Sequence, residues 1–159
     1  LIAGAVAARF GRDADAPDLL AGLRVADVGG GGGRLCEPLA RLGAEVVGLD
    51  ASDAAIDAAR AHAAQSGLAI DYRCASADAL VAAGERFDVV LAMEVIEHTP
   101  DPRRFVDDAT ALVQPGGVSS ALPNSRAIWR RRACGSRKGG ALSSIRCAGA
   151  GRCPIAISM

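Results

Sequence analysis

The sequence predicts an α/β domain with a mostly parallel β-sheet and helices on both faces. Short apolar segments at 23–28, 45–49 and 87–93 have the length and hydrophobicity of strands buried on both faces. Segments with helical spacing of apolar residues lie between them, so strands and helices alternate over residues 20–117. Right-handed crossovers between parallel strands would place the helices on both faces of the sheet.

The first half of this domain contains two strands, each followed by a helix. LRVADV at 23–28 is bounded by glycines and predicts the first strand. Leucines spaced four and three residues apart predict a helix over 34–42, which Gly43 ends. EVVGL predicts a second strand at 45–49 that ends at Asp50.

The second half begins with a helix at 53–65, for which Ser52 is the predicted N-cap. LAIDYR alternates as a third strand at 68–73, and FDVVLAM is the fourth and most hydrophobic strand at 87–93. A first-turn proline favours a helix over 103–113, and the sequence QPGG follows it. Strands and helices of this kind, in this order, indicate a parallel sheet.

The charge of the chain changes abruptly near residue 118. Residues 1–118 contain ten arginines against 18 aspartates and glutamates, whereas 119–159 contain seven arginines, Lys138 and no acid. The second segment also lacks periodicity. We therefore divide the chain into an N-terminal helix remnant and linker at 1–22, a ligand-binding core at 23–118, and a basic tail at 119–159 that is disordered or read out of frame.

A fifth strand would be expected near Val118, but SSALPNSRA supplies a proline and polar residues there. We therefore expect the sheet to be incomplete at its C-terminal strands, with the fourth strand at an exposed edge. The same argument predicts a fragment that is unstable or prone to aggregation.

Composition excludes several classes of protein. No apolar run reaches the roughly 18 residues of a membrane-spanning helix. No CxxC occurs and the tail cysteines lack zinc-site spacing, while Cys36 and Cys74 are interpreted as buried free thiols. An odd cysteine count without a secretory signal indicates a reducing compartment. The basic tail would bind phosphates nonspecifically, and without a folded motif we expect no specific nucleic acid partner.

Five glycines, 29–33, separate the first strand from the first helix, and Asp27 precedes them in a D-x-G-x-G-x-G pattern. Glycines at such a turn let a ligand approach the backbone closely. Asp50 ends the second strand 17 residues after Gly33. An acid in that place can accept hydrogen bonds from both ribose hydroxyls. Together these features predict a cofactor that contains adenosine.

Two such cofactors use this geometry. The pyrophosphate of a dinucleotide would be repelled by Asp27, and the third small residue of the dinucleotide fingerprint, counted from Gly29, is Arg34. S-adenosylmethionine has no phosphate, and its ammonium and sulfonium groups are attracted to a carboxylate. We favour S-adenosylmethionine. A dinucleotide, or a glycine-rich turn without a ligand, is the alternative.

With these motifs in place, the chain resembles the ubiquinone-biosynthesis O-methyltransferases of the class I S-adenosylmethionine-dependent superfamily. The similarity lies in ADVGGGGGRLCEPLARLGAEVVGLDAS at 26–52, IDYRC at 70–74, FDVVLAMEVIEHTPDP at 87–102 and LVQPGG at 112–117. The family usually has cysteine at the position of Gly30. Its members continue beyond the fifth strand and have an upstream cofactor-binding region, so the resemblance suggests a chain truncated at both ends.

The resemblance implies a Rossmann-like class I methyltransferase fold and methylation of a phenolic hydroxyl on a polyprenylated ubiquinone precursor. A methyltransferase for another small acceptor, or an inactive truncated fragment, is the alternative. The candidate cofactor-binding residues are Asp27, Gly29, Gly31, Gly33, Asp50, Asp78 and Met93. Of these, Asp78 either reaches the adenine amino group or caps the short SADAL turn.

MEVIEH follows the fourth strand, at the sheet edge where ligands bind in open α/β folds. A helical turn would place Glu94, Glu97 and His98 on one face, where they could hold Mg²⁺ or another divalent cation. The resemblance supports such a metal. Alternatively His98 is a general base for a phenol, whose pKa is about 10. A third interpretation makes Glu94 or Glu97 a loop cap and His98 a structural hydrogen bonder.

The resemblance also implies partners and a location. The substrate would be a polyprenylated phenol or catechol, with peripheral association with the membrane or with a complex for ubiquinone biosynthesis. In a bacterium the protein would be cytoplasmic, at the inner membrane. In a eukaryote it would lie on the matrix side of the mitochondrial inner membrane.

Overall fold

The computed structural model describes residues 2–93 and 95–121 of the chain. They form the following elements in chain order: α1 (Ile2–Phe10), β1 (Arg24–Val28), α2 (Cys36–Arg41), β2 (Glu45–Asp50), α3 (Asp53–Gln65), β3 (Asp71–Cys74), α4 (Ala77–Ala82), β4 (Phe87–Ala92), a 3₁₀ turn (Ile96–His98), α5 (Pro102–Ala111) and β5 (Val113–Ala121). Within these residues no helix is both long and apolar enough to cross a membrane. The predicted α/β class is confirmed.

The five strands form one parallel sheet in the order β3-β2-β1-β4-β5. The chain moves outward from β1 to β2 and β3, and then returns to place β4 on the other side of β1. The strand order therefore reverses between β1 and β4. In open α/β sheets, ligands bind outside the carboxyl ends of the strands at such a reversal. The loops that follow β1 and β4 flank this position.

Apolar side chains of successive strand residues point to opposite faces of the sheet and build two cores. One core contains Val25 of β1 together with buried residues of α1, α2 and α3. The other contains Ala26 of β1 together with buried residues of α4 and α5. Helices thus cover both faces, as the sequence predicts.

Two elements differ from the sequence prediction in the region of the third strand. β3 begins at Asp71 rather than Leu68, because only residues from Asp71 onward pair with β2. The SADAL segment, expected to be a turn, is part of helix α4. A parallel strand pair needs a crossover connection, and α4 supplies it between β3 and β4 while burying Leu80 against the sheet.

The expectation that the sheet lacks a fifth strand is wrong. β5 pairs with β4 from Phe87↔Val113 to Ala92↔Ala121, so β4 is not an edge strand. The register shifts between Phe87 and Val89, and this irregularity accommodates the Gln-Pro-Gly-Gly sequence that argued against a strand. Gln114 donates a hydrogen bond to Asp88 at this irregularity.

The ordered strand therefore runs across the predicted boundary at residue 118, by three residues. The rest of the basic tail, residues 122–159, lies outside the described residues. The prediction that the tail is disordered or out of frame consequently stays a prediction. The N-terminal segment contains the predicted helix, as α1, which buries Val6 in the first core.

Candidate cofactor site

The glycine loop between β1 and α2 is tied to the end of β2. The backbone N–H groups of Gly29 and Gly30 both donate to the carbonyl of Leu49, at 2.8 and 3.0 Å. The N–H of Gly31 donates to Asp50 Oδ2 at 2.9 Å. The loop is therefore held over the carboxyl ends of two adjacent strands, which is the place that the strand order assigns to a ligand.

Asp50 links this loop to the start of α3. Its Oδ2 accepts the Gly31 hydrogen bond, and its Oδ1 accepts one from the N–H of Ser52 at 2.9 Å. A carboxylate has about four lone-pair sites, so both oxygens retain the capacity to accept a hydroxyl hydrogen. The side chain is partly exposed. Asp50 is thus fixed in orientation and suited to the two hydroxyls of a ribose.

The middle of the loop is open, whereas its two ends are closely packed. A Cβ built on Gly31 or Gly32 would meet no atom within 4 Å. Gly29 has a φ of 76°, which side-chain-bearing residues rarely adopt, and a Cβ there would overlap with the side chain of Val95. Val95 belongs to the segment after β4. The two loops that flank the strand-order reversal are therefore in contact.

Asp27 lies beneath this loop at the end of β1 and is 2% exposed. Its Oδ2 accepts a hydrogen bond from the thiol of Cys36, at 3.3 Å. Burial raises the pKa of Asp27 from 3.8 to about 6, the Cys36 hydrogen bond opposes this rise, and the negative charge of Asp50 adds to it. The predicted cofactor acid is thus a nearly enclosed carboxyl group.

Tyr72 of β3 completes the polar group under the loop. Its hydroxyl is buried and has no hydrogen-bond partner among the described residues. A Cβ on Gly33 would overlap with this hydroxyl. Burial raises the pKa of both Tyr72 and Cys36 above the ordinary range. Sequence analysis did not identify Tyr72, because its place in an alternating strand marks it only as a core residue.

The two cysteines outside the tail have different environments. Cys36 is buried, as predicted, but its thiol contacts a carboxylate. Cys74 was expected to be buried and is exposed, because it ends β3 at the edge of the sheet, where its thiol lies 3.5 Å from the carbonyl of Ala51.

Asp78 lies in the first turn of α4. One carboxylate oxygen accepts a hydrogen bond from Ser76, and the other accepts one from Arg104 of α5 at 3.0 Å. The Ser76 hydrogen bond and the charge of Arg104 lower the pKa of Asp78. The Ser76 side chain makes no capping hydrogen bond of its own. Contact of Asp78 with adenine stays a prediction.

The segment after β4 carries the candidate metal ligands. Met93 is 46% exposed, and Glu97 and His98 are exposed in the 3₁₀ turn. Glu94 lies outside the described residues. Within the part of the chain that the structure describes, no three His, Cys, Asp or Glu side chains lie close enough together to hold a metal ion. The metal site stays a prediction, and we derive no chemical step through it.

A family model described as "Methyltransferase domain" matches residues 26–121. The chain belongs to this methyltransferase family. The match includes the end of β1, the glycine loop, β2 and the whole of β4 and β5, so it coincides with the candidate site. The predicted resemblance is also confirmed by the ubiquinone biosynthesis O-methyltransferase of Brucella ovis, which is 58% identical over 123 residues, 77% of this chain and 50% of that protein. The chain spans about half the length of the curated relatives that it matches.

Solved structures agree on the fold. Magnesium protoporphyrin IX methyltransferase from Synechocystis, determined with bound S-adenosylmethionine, is 26% identical with a TM-score of 0.57, covering 70% of this chain and 52% of that one. The [4+2]-cyclase SpnF is equally 26% identical, with a TM-score of 0.58, covering 74% of this chain and 42% of that one. Because a cyclase has the same fold, the reaction must be argued from the site and the sequence.

Proposed function

We propose that this chain contains the S-adenosylmethionine-binding half of an O-methyltransferase that acts on a phenolic hydroxyl of a polyprenylated ubiquinone precursor. The assignment of the cofactor rests on the geometry of Asp50. Its two carboxylate oxygens accept hydrogen bonds from the backbone N–H groups of Gly31 and Ser52, next to a loop with open space at Gly31 and Gly32. The reaction is supported by the names of relatives that are 58% identical.

The residues of this chain fit S-adenosylmethionine at both ends. Asp50 would accept hydrogen bonds from the ribose hydroxyls, and Asp27, in its ionised form, would attract the ammonium group at the other end. In the described part of the chain, Asp27 has no cationic hydrogen-bond partner that would compete with that ammonium. When bound, the cofactor supplies an electrophilic methyl group on sulfur. The protein contributes mainly by holding the acceptor oxygen in line with the carbon–sulfur bond.

For the acceptor end we propose the segment after β4. A phenol must lose its proton to attack well, and His98 is exposed at the carboxyl edge of the sheet, where it could take that proton. The alternative is a divalent cation held by Glu94, Glu97 and His98. Treatment with EDTA distinguishes the general base from the divalent cation. If a cation is required, methyl transfer should stop after EDTA treatment and return when Mg²⁺ is added. If His98 acts as a base without metal, EDTA should have no effect. A polyprenylated substrate would bring the protein to a membrane surface, at the inner membrane of a bacterium.

Calorimetric titration with S-adenosylhomocysteine tests the cofactor site. The wild-type chain should bind saturably, and Asp50→Asn should weaken binding roughly tenfold to a hundredfold, because hydrogen bonds to charged groups contribute about 1.5–3 kcal/mol. Asp53→Asn is the matched control, because it removes the same charge from an exposed position three residues along the chain. Absence of saturable binding by the wild type, or equal binding by Asp50→Asn, would overturn the proposal.

Transfer of a labelled methyl group tests the reaction. We expect methylation of a polyprenyl catechol and none of acceptors that lack a phenolic hydroxyl. Methylation of another acceptor class alone would support the second candidate, a methyltransferase for a different small molecule. Cofactor binding without any transfer would identify the chain as an inactive half of the enzyme.

A further inference from the structure

We propose that Cys36 is a positioning residue for the cofactor, whose thiol orients the Asp27 carboxylate and keeps it available to the cofactor's ammonium group. This inference rests on the proposed function, because it concerns the same site. It goes beyond that function by assigning a role to a residue that sequence analysis treats as an ordinary buried thiol.

The geometry places the thiol and the carboxylate in direct contact. Cys36 is the first residue of α2, and Asp27 is the penultimate residue of β1. The Sγ atom of Cys36 lies 3.3 Å from Oδ2 of Asp27, and both residues are buried. Within the described residues, Cys36 is the one hydrogen-bond donor to this carboxylate.

Glycines on two sides keep space for this pair. A Cβ on Gly30 would lie 2.6 Å from Asp27 Oδ2, and a Cβ on Gly48 of β2 would lie 3.0 Å from Cys36 Sγ. Both distances are shorter than ordinary van der Waals contacts. In this chain, side chains at these two positions would therefore crowd the thiol and the carboxylate under the loop.

The Cys36–Asp27 pair has polar neighbours, whereas a cysteine that only fills space in a core would be surrounded by apolar side chains. The buried hydroxyl of Tyr72 makes no hydrogen bond of regular geometry within the described residues. It lies close enough to the Cys36 thiol for each group to affect the pKa of the other. A buried hydroxyl without a hydrogen-bond partner destabilises the folded state. A core selected for stability alone would be apolar here, so this costly cluster directly under the glycine loop points to a role in ligand binding.

The charges around Asp27 explain why one weak donor matters. Among the residues that the structure describes, the titratable groups that face it are Cys36 from α2, Asp50 from β2 and Tyr72 from β3, and none of these three carries a positive charge. Burial and Asp50 favour the protonated carboxyl, and the thiol hydrogen bond opposes them. Loss of the thiol should therefore leave Asp27 protonated up to a higher pH. It should also leave the carboxylate without the hydrogen bond that fixes its orientation.

The test compares Cys36→Ala with Cys36→Ser in the full chain. Serine keeps a donor of similar size, whereas alanine removes it. Cys74→Ala is the thiol control, because Cys74 is exposed and its thiol contacts the Ala51 carbonyl and the Asp53 side chain rather than Asp27. Carbon-13 NMR of labelled aspartate carboxyls, with Asp27 assigned from Asp27→Asn, gives the titration midpoint without any cofactor. Titration with S-adenosylhomocysteine from pH 5 to 8 gives the affinity.

In Cys36→Ala we expect the Asp27 midpoint to rise by about one pH unit. Affinity should then fall about tenfold at pH values below both midpoints and be nearly unchanged above them. Cys36→Ser and Cys74→Ala should retain the wild-type midpoint. The inference is overturned if Cys36→Ala titrates like the wild type, or if alanine and serine variants lose affinity equally at every pH. Binding by the wild-type chain decides the proposed function, whereas the contrast between alanine and serine decides the role of Cys36.

Discussion

Asp27→Asn should stabilise the protein near neutral pH, although it removes a buried charged residue from the cofactor site. Asp27 is 2% exposed, and the group that donates a hydrogen bond to it is the Cys36 thiol, which is a weak donor. Its ionised form is therefore poorly compensated in the folded state. Asparagine has nearly the same shape, accepts the same hydrogen bond and carries no charge.

The size of this effect follows from the pKa of Asp27, which burial raises from 3.8 to about 6. Below pH 3.8 the carboxyl group is protonated in both the folded and the unfolded chain, and its raised pKa then contributes its full stabilisation. As the pH rises through 6, the folded state loses that contribution, because the unfolded chain ionises more easily. A difference of about two pH units corresponds to about 3 kcal/mol.

Urea unfolding followed by far-ultraviolet circular dichroism, repeated from pH 4 to 8, measures this difference. The free energy of unfolding of Asp27→Asn, minus that of the wild type, should increase by about 2.5 kcal/mol between pH 4 and pH 8, because a small part of the effect is already present at pH 4. Asp57→Asn is the control, because the Asp57 side chain is 75% exposed. A difference that is constant with pH, or that decreases as the pH rises, would refute the argument.

Two further substitutions test the local geometry. Gly29→Ala should destabilise the fold by about 1–3 kcal/mol, because Gly29 has a φ of 76° and a Cβ there would overlap with Val95. Urea unfolding measures this change. Gly32→Ala is the control, because a Cβ at Gly32 would meet no atom within 4 Å. Ser52→Ala should cost about 1 kcal/mol, because the Ser52 hydroxyl accepts the N–H of Ala55 at the start of α3. An unchanged unfolding midpoint in either variant would contradict the corresponding assignment.

The parts of the fold that the sequence predicts well are those with a strong local pattern. β1, β2 and β4 are short segments dominated by apolar residues, because a parallel strand covered on both faces needs apolar side chains in both directions. The start of α3 is equally clear, since Ser52 caps it as predicted. In these segments the local preference and the tertiary environment favour the same structure.

Both missed elements depend on tertiary contacts. α4 has six residues and begins in a segment whose serine and aspartate are typical of a turn. It is stabilised by burying Ala77 and Leu80 against the sheet, which the local sequence does not reveal. β5 contains a proline and two glycines, and it becomes a strand because the exposed edge of β4 offers hydrogen-bonding partners and an irregular register absorbs the extra residues.

The candidate site is predictable to the same degree. Asp50 and the glycine loop follow from strand ends that meet at one edge of a parallel sheet, and the structure brings them into hydrogen-bond contact. The contact between Cys36 and Asp27 is different, because it joins a helix start to a strand end across a loop whose path is set by positive φ angles. No spacing rule connects a cysteine to an acid nine residues earlier.

The buried acid gives these observations a common explanation. An ionised Asp27 makes the folded chain less stable by about 3 kcal/mol at neutral pH, which is a large fraction of the stability of an ordinary domain. A neutral residue of the same shape would avoid that loss. Proteins tolerate such losses mainly where function requires the group. An ammonium ion that reaches Asp27 would supply the missing positive charge, so cofactor binding and the relief of this instability should be the same event. The thiol of Cys36 would then set the pH above which Asp27 is ionised and can bind the ammonium group of the cofactor.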